Sequence, residues 1–225
     1  MRNPSTDPLV VTLDGPAGVG KTTLARLVAQ ALDVAYLDTG AMFRVTALKL
    51  GEKSWELPRD ILEARLEGIT FDLTGTGLDS RLLCGGSPVG DEVRTEEVGM
   101  WASNLAARPE VRERQKAAQR AIGLHTSLVA EGRDMGTVVF PSARRKFFLD
   151  AAPGIRAARR VAQLREMGRE ADLASIEAAI RARDDQDRNR AVAPLVPARD
   201  AVVIDTSGLG LEEVFEMVMK EIRAA

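Results

Sequence analysis

Gly15-Pro16-Ala17-Gly18-Val19-Gly20-Lys21-Thr22 fits G-x-x-x-x-G-K-[ST] without a mismatch, and the spacing suits the handling of phosphate. Glycines let the backbone curl so that several N–H groups point inward, where side chains would block an approaching phosphate. The helix starting near Lys21 adds its positive end to the same cradle. Lys21 can reach β- and γ-phosphate oxygens, the Thr22 hydroxyl can ligate Mg²⁺, and Thr23 extends the run. These residues predict binding of a nucleoside triphosphate.

Further candidates stand where strands deliver polar groups. Val34-Ala35-Tyr36-Leu37 ends at Asp38-Thr39-Gly40, and the next predicted helix, Ala41 to about Leu50, carries Phe43 and Arg44. Ser127-Leu128-Val129-Ala130 ends in Glu131-Gly132-Arg133-Asp134. In a parallel sheet the carboxyl ends of strands face the ligand crevice, so Thr39, Arg44 and Arg133 are placed for a second substrate. Phe147-Phe148-Leu149-Asp150 ends in an acid that resembles a Walker B carboxylate, but a cap for the helix near Pro153 is the favoured reading. The run Arg181-Ala182-Arg183-Asp184-Asp185-Gln186-Asp187-Arg188-Asn189-Arg190 could be a solvated helix laced with Arg183–Asp187 and Asp184–Arg188 pairs. We read it as a lid, because phosphoryl transfer must exclude water and arginines arriving on a mobile element also neutralise charge. Arginines outnumber lysines twenty-five to six, so most must be surface residues, and only position singles out Arg44, Arg133 and the group near Arg190.

The elements that must position these groups alternate. Leu9, Val10 and Val11 make a buried strand, and Leu24, Leu27, Val28 and Ala31 recur with helical spacing. Strand, helix, strand at this separation predicts βαβ units and a parallel sheet. From Gly51 to about Val98 the pattern changes. A short helix carries Ile61, Leu62 and Leu66, and then Gly-punctuated strands follow, with Ile69, Phe71 and Leu73 first, Arg81 to Cys84 second and Val89 to Val93 third. That predicts an antiparallel meander inserted into an α/β chain. Helices follow over Thr95–Ala107 and Pro109–Ile122, with Ser103 and Arg112. Later come an arginine-rich helix with Arg156, Arg159 and Arg160, and a helix with Leu173, Ile176 and Ile180 on one face. Val202 to Ile204 is the fifth core strand, and Leu211, Val214, Phe215, Val218 and Ile222 make a closing amphipathic helix.

Composition narrows the setting. The 225 residues suit one domain with an insertion, and 45% hydrophobic with 28% charged residues reads as globular and soluble. A net charge of −2 gives no general attraction to nucleic acid or an anionic membrane. The single Cys84 excludes an internal disulfide and reads as a small apolar core residue, and the lone His125 has no partner for a metal. Met1 to Pro8 is short and polar, and no apolar run is long enough to cross a membrane, so the expected location is cytoplasmic.

Taken together, the glycine turn with Asp14, Leu37-Asp38-Thr39-Gly40-Ala41-Met42-Phe43-Arg44, Glu131 to Pro141 and Arg183 to Arg190 closely resemble the bacterial cytidylate kinases, in order and over nearly the whole chain. The resemblance implies a nucleoside-monophosphate-kinase fold of α/β class: a three-layer α/β/α core with about five parallel strands, a small β-rich insertion and a helical lid. It implies a P-loop kinase core over 1–50 and 99–225 with the lid at about 181–197, and an inserted NMP-binding subdomain over 51–98. It implies that the γ-phosphate of ATP moves to CMP or dCMP. Gly15, Pro16, Ala17, Gly18, Val19, Gly20, Lys21, Thr22 and Thr23 would hold ATP, with Mg²⁺ on Thr22. Arg44, Arg133 and Thr39, beside Gly132, would clamp the acceptor phosphate. Ser103, Arg112 and Asp134 would read cytosine, and Asp187 and Arg190 would meet the sugar and acceptor phosphate. Arg159 and Arg183 would reach the donor phosphates. Family members often have tyrosine where Phe43 stands and aspartate where Glu131 stands.

The implied chemistry needs no side-chain nucleophile: an anionic phosphate oxygen of CMP attacks the γ-phosphorus in line, and the protein supplies positioning and charge. Asp134 would accept from the cytosine amino group, and uracil would present a carbonyl there instead. A guanine-reading N-K-x-D stretch is absent, since no lysine has an aspartate two positions later, which nearly excludes a GTPase switch. The nearest alternative is a P-loop kinase for another small acceptor, such as UMP. With no heptad or large apolar stripe, a monomer acting on small molecules is expected.

Overall fold

The structure is a computed structural model that describes residues 7–224. Six residues of the polar N-terminal stretch therefore lie outside it. The chain opens with strand β1 (Val10–Asp14), helix α1 (Lys21–Leu32), strand β2 (Ala35–Asp38) and helix α2 (Thr39–Leu50). Helix α3 (Arg59–Glu67) precedes three short strands, β3 (Phe71–Thr74), β4 (Arg81–Cys84) and β5 (Ser87–Pro88). Helices α4 (Glu96–Leu105) and α5 (Pro109–Gly123) lead to strands β6 (Leu128–Gly132) and β7 (Arg145–Asp150). Helices α6 (Pro153–Glu166) and α7 (Leu173–Arg188), strand β8 (Val202–Asp205) and helix α8 (Leu211–Arg223) complete it.

The core is a five-stranded parallel sheet in the order β2-β6-β1-β7-β8, flanked by helices as a three-layer α/β/α fold. Burial on both faces explains the strand sequences. Val11 to Asp14 are all buried in β1 and Lys146 to Leu149 in β7, so burial does not alternate along these strands as it would in a sheet with one face in water. Local signals set the helix starts. Asp38 caps α2 by accepting from the Ala41 N–H, Thr95 caps α4 through the Val98 N–H, and Asp172 caps α7 through the Ser175 N–H. Proline opens α5 and α6 at a position whose N–H would have had no partner.

By contact density the described residues divide into two compact units, one of 7–10 and 29–131, the other of 11–28 and 132–224. The first has an apolar core in which Val45, Leu50, Leu62, Leu66, Ile69, Cys84, Val98, Leu105 and Val111 pack, with Phe43 and Trp55 against its edge. The expected meander is present in it as the antiparallel sheet β3-β4-β5. Its third strand is Ser87–Pro88, not Val89 to Val93, which instead runs into a 3₁₀ turn at Asp91–Arg94. Gly85 and Gly86 explain the shift: both have positive φ, 59° and 77°, so they form a two-residue hairpin loop that brings Ser87 directly opposite Cys84.

In the second unit Leu13, Leu24, Val28, Phe147, Leu149, Ile204, Val214 and Val218 are buried. One expectation changes there. Asp150 does not cap α6: the cap position is Ala152, and the Asp150 carboxylate accepts from the Ala151 N–H and meets Arg188 at 3.4 Å. It stands too far before Pro153 to reach the first turn. On helix α7 Ile176 and Ile180 of the expected apolar face are half-buried. Its buried side chains are Asp184 and Asp187, whereas Leu173 is 47% exposed.

Candidate active site

The glycine turn belongs to the second unit. Gly15 follows β1 with φ +145°, and a Cβ there would stand 2.1 Å from the Leu149 carbonyl oxygen, so β7 itself demands glycine. Gly18 and Gly20 have φ +78° and +95°. Lys21 begins α1, is buried, and folds back so that Nζ donates to the Pro16 carbonyl at 2.7 Å. Thr22 and Thr23 are exposed on the first turn.

Arg133, Asp134, Arg159, Arg183, Asp187 and Arg190 belong to the same unit. The Arg133 Nε donates to Asp187 at 2.9 Å, and Arg190 approaches the other Asp187 oxygen at 3.6 Å. Burial pushes the Asp187 carboxyl up, but Arg133, then Arg190 and Arg183, more than reverse this and hold it below the usual range. Asp187 is therefore the hub of the charged run, not one end of an Arg183–Asp187 surface pair. Asp184 does not pair with Arg188 either: it receives the fork of Arg156, through Nη1 at 3.1 Å and Nη2 at 2.5 Å. Arg159 donates to the hydroxyl and carbonyl of Thr206.

Thr39, Arg44, Ser103 and Arg112 belong to the first unit. The Thr39 hydroxyl donates to the Glu131 carbonyl at 2.6 Å, across the register that pairs Asp38 with Glu131. Arg44 donates through Nη1 to the carbonyls of Val93 and Thr95, which aims a residue of α2 along the start of α4. Arg112 is buried, donates to the Ala106 carbonyl, and lies over the Phe43 ring at 5.7 Å from its centroid. Phe43 thus supplies a cation–π platform, a use that needs no hydroxyl. Ser103 is half-buried on α4. The Glu131 carboxylate is buried and accepts from the Tyr36 hydroxyl, whose pKa is driven up by burial and then by that carboxylate.

Two functional-looking groups escape a sequence reading. Arg156, one of many arginines, is 1% exposed and also donates to the Ala17 carbonyl of the glycine turn at 3.1 Å. Asp14 accepts from two consecutive backbone N–H groups, those of Met135 and Gly136. Its only sequence signal is a carboxylate ending an apolar strand. Among the described residues no three His, Cys, Asp or Glu side chains cluster to hold a metal. A cation carried in on polyphosphate oxygens, with the Thr22 hydroxyl as one protein ligand, fits that donor set. No helix among the described residues is long and apolar enough to cross a membrane.

Over residues 11–224 the chain matches the family Cytidylate kinase. It is 58% identical over 214 residues to the cytidylate kinase of Maridesulfovibrio salexigens, an alignment covering 95% of this chain and 96% of that protein. It is 60% identical over 215 residues to the cytidylate kinase of Nitratidesulfovibrio vulgaris, covering 96% and 93% respectively. Among solved structures, a shikimate kinase from Bacteroides thetaiotaomicron aligns over 95% of this chain and 98% of its own, with a TM-score of 0.50 at 13% identity, a likeness of fold alone.

Proposed function

The chain belongs to the cytidylate kinase family, and from that premise we propose how its residues divide the work of moving the γ-phosphate of ATP onto CMP. The observation that carries the reading is the Arg133–Asp187–Arg190 cluster, in the same unit as the glycine turn, Lys21, Arg159 and Arg183. A plain ATPase has no use for a second group of guanidiniums gathered around a buried carboxylate.

Main-chain N–H groups of Gly15 to Thr23 and the Lys21 ammonium hold the donor phosphates, with Mg²⁺ entering on ATP beside the Thr22 hydroxyl. Arg159 and Arg183 add charge to the donor side. Arg44, Arg133 and Arg190, with Thr39 and Gly132, hold the acceptor phosphate, and Asp187 meets the sugar. An α-phosphate oxygen of CMP bonds to the γ-phosphorus as the bond to the β,γ-bridging oxygen breaks, leaving CDP and ADP. The arginines neutralise the equatorial oxygens through this loose transition state. Asp134 accepts from the cytosine amino group while Ser103 and Arg112 donate to N3 and O2. dCMP, with the same base, is also an acceptor.

Residues 51–98 frame the acceptor as an inserted subdomain, 181–197 act as the lid, and the rest is the kinase core. The enzyme works as a cytoplasmic monomer on small molecules, without nucleic acid or membrane. A panel of CMP, dCMP, UMP and AMP in an ADP-release assay tests the assignment. CMP and dCMP should turn over well. UMP should be rejected by ~10⁴ or more, as sites built to hydrogen-bond a substrate group do when it is missing. UMP within a fewfold of CMP would remove the role of Asp134.

A further inference from the structure

We propose that Asp14 is a positioning residue for acceptor recognition, pinning the turn that carries Arg133 and Asp134 to the strand that carries the glycine turn. Its Oδ1 accepts from the Met135 N–H at 2.8 Å and its Oδ2 from the Gly136 N–H at 2.7 Å. These are the first two residues of a π-turn, Met135–Val139, in which the Asp134 carbonyl accepts from both Val138 and Val139. Such turns are rare and concentrate at functional sites. Asp134 is thus held from both sides: its carbonyl by the turn, and the peptide that follows it by Asp14.

A second observation supports the same contact. A Cβ on Gly136 would stand 3.1 Å from the Thr12 hydroxyl, 3.2 Å from Lys146 Cδ and 3.4 Å from Asp14 Oδ2, so a side chain there would push against the strands the turn packs on. Keeping a carboxylate there is costly. Burial pushes its pKa up to about 6, with the N–H groups of Gly136 and Met135 opposing, Asp134 adding to the rise and Lys21 reducing it. An amide would set a donor against one of these two N–H groups, and an apolar side chain would leave both unpaired. Only an ionised carboxylate accepts at both oxygens, so both N–H groups stay fixed.

The inference rests on the reading of Asp134 as a cytosine acceptor, and the test separates the two. Asp14→Asn keeps the shape but turns one acceptor into a donor facing an N–H. We expect kcat/KM for CMP to fall roughly 10- to 100-fold, the worth of one hydrogen bond to a charged acceptor, while KM for ATP stays within about threefold. The CMP:UMP ratio of kcat/KM should shrink with it, and amide exchange at Met135 and Gly136 should accelerate. Gly136→Ala leaves Asp14 intact and should shrink the ratio likewise. Asp134→Asn is the control. If it collapses the ratio while Asp14→Asn preserves both ratio and amide protection, the positioning role is overturned. If Asp134→Asn leaves the ratio intact, the cytosine reading fails, and Asp14 is then judged on the KM split and the exchange, unchanged values overturning it.

Discussion

Arg133 at the end of β6 donates through Nε to the carboxylate of Asp187 on α7 at 2.9 Å, so two groups assigned to the nucleotide satisfy each other without it. Asp187 orients both arginines, and a nucleotide held as proposed would exchange this pairing for its own phosphate and sugar. Asp187→Asn keeps the shape and removes the charge. If Asp187 meets the 2′-hydroxyl, kcat/KM for CMP should fall further than for dCMP, which lacks that group. Steady-state kinetics with both acceptors decides it. An equal loss would mean that Asp187 serves only the arginines.

Asp14 has a stability signature. Its folded pKa of about 6 lies above its ordinary 3.8. Well below pH 3.8 both folded and unfolded chains hold the proton, and its contribution is fully present. Between about 4 and 6 the unfolded chain releases the proton first, so stability is lost as pH rises, to a total of roughly 3 kcal/mol above the folded pKa. The stability of the parent minus that of Asp14→Asn should therefore fall over this window and then level off. Denaturant unfolding of both proteins from about pH 4 to 8 measures it. A difference that rises with pH would contradict the burial argument.

Arg156 and Asp184 form a bidentate pair with both side chains out of solvent, and Arg156 extends it to the Ala17 carbonyl. Asp184→Ala strands a buried guanidinium and should cost about 3–5 kcal/mol, whereas Arg156→Met with Asp184→Leu together should recover most of the loss. Urea unfolding of the single and double variants separates the cases. A single-variant cost below about 1 kcal/mol would mean that water already reaches the pair.

The residues that sequence makes legible are those whose role follows from a local pattern. The glycine turn, the polar strand ends at Thr39 and Arg133, and the parallel strands all read directly, because each depends on spacing within a few residues. Asp184 and Asp187 do not. Their i,i+4 neighbours suggest surface pairs, but the buried Arg156 and the half-buried Arg133, far away in sequence, outbid them, and a charged helix ends up burying its acids. Asp14 is hidden for the same reason: its partners lie 121 and 122 residues away and are backbone groups without a sequence signature. The misplaced third strand of the meander is different. Gly85-Gly86 was visible, but that both residues take positive φ, and so return the chain at once, emerges only in the structure.

Gly99 offers the sharpest separation of stability from function. It sits inside α4, where alanine would favour the helix by about 0.8–1.0 kcal/mol. A Cβ there would meet the Arg44 guanidinium, with Nη2, Nη1 and Cζ at 2.8, 2.9 and 3.0 Å. That group is the tip of a long side chain and can move aside, but moving breaks its bonds to the carbonyls of Val93 and Thr95. Gly99→Ala should therefore leave the protein as stable as before, or slightly more so. It should also raise KM for CMP roughly tenfold, the worth of a lost charged hydrogen bond, with KM for ATP unchanged. Thermal unfolding and acceptor titrations on one preparation test both halves. Arg44→Met should reproduce the kinetic half without the gain in helix stability. If Gly99→Ala binds CMP normally while Arg44→Met does not, Arg44 reaches the phosphate without the Val93 and Thr95 carbonyls, and its anchoring there is incidental.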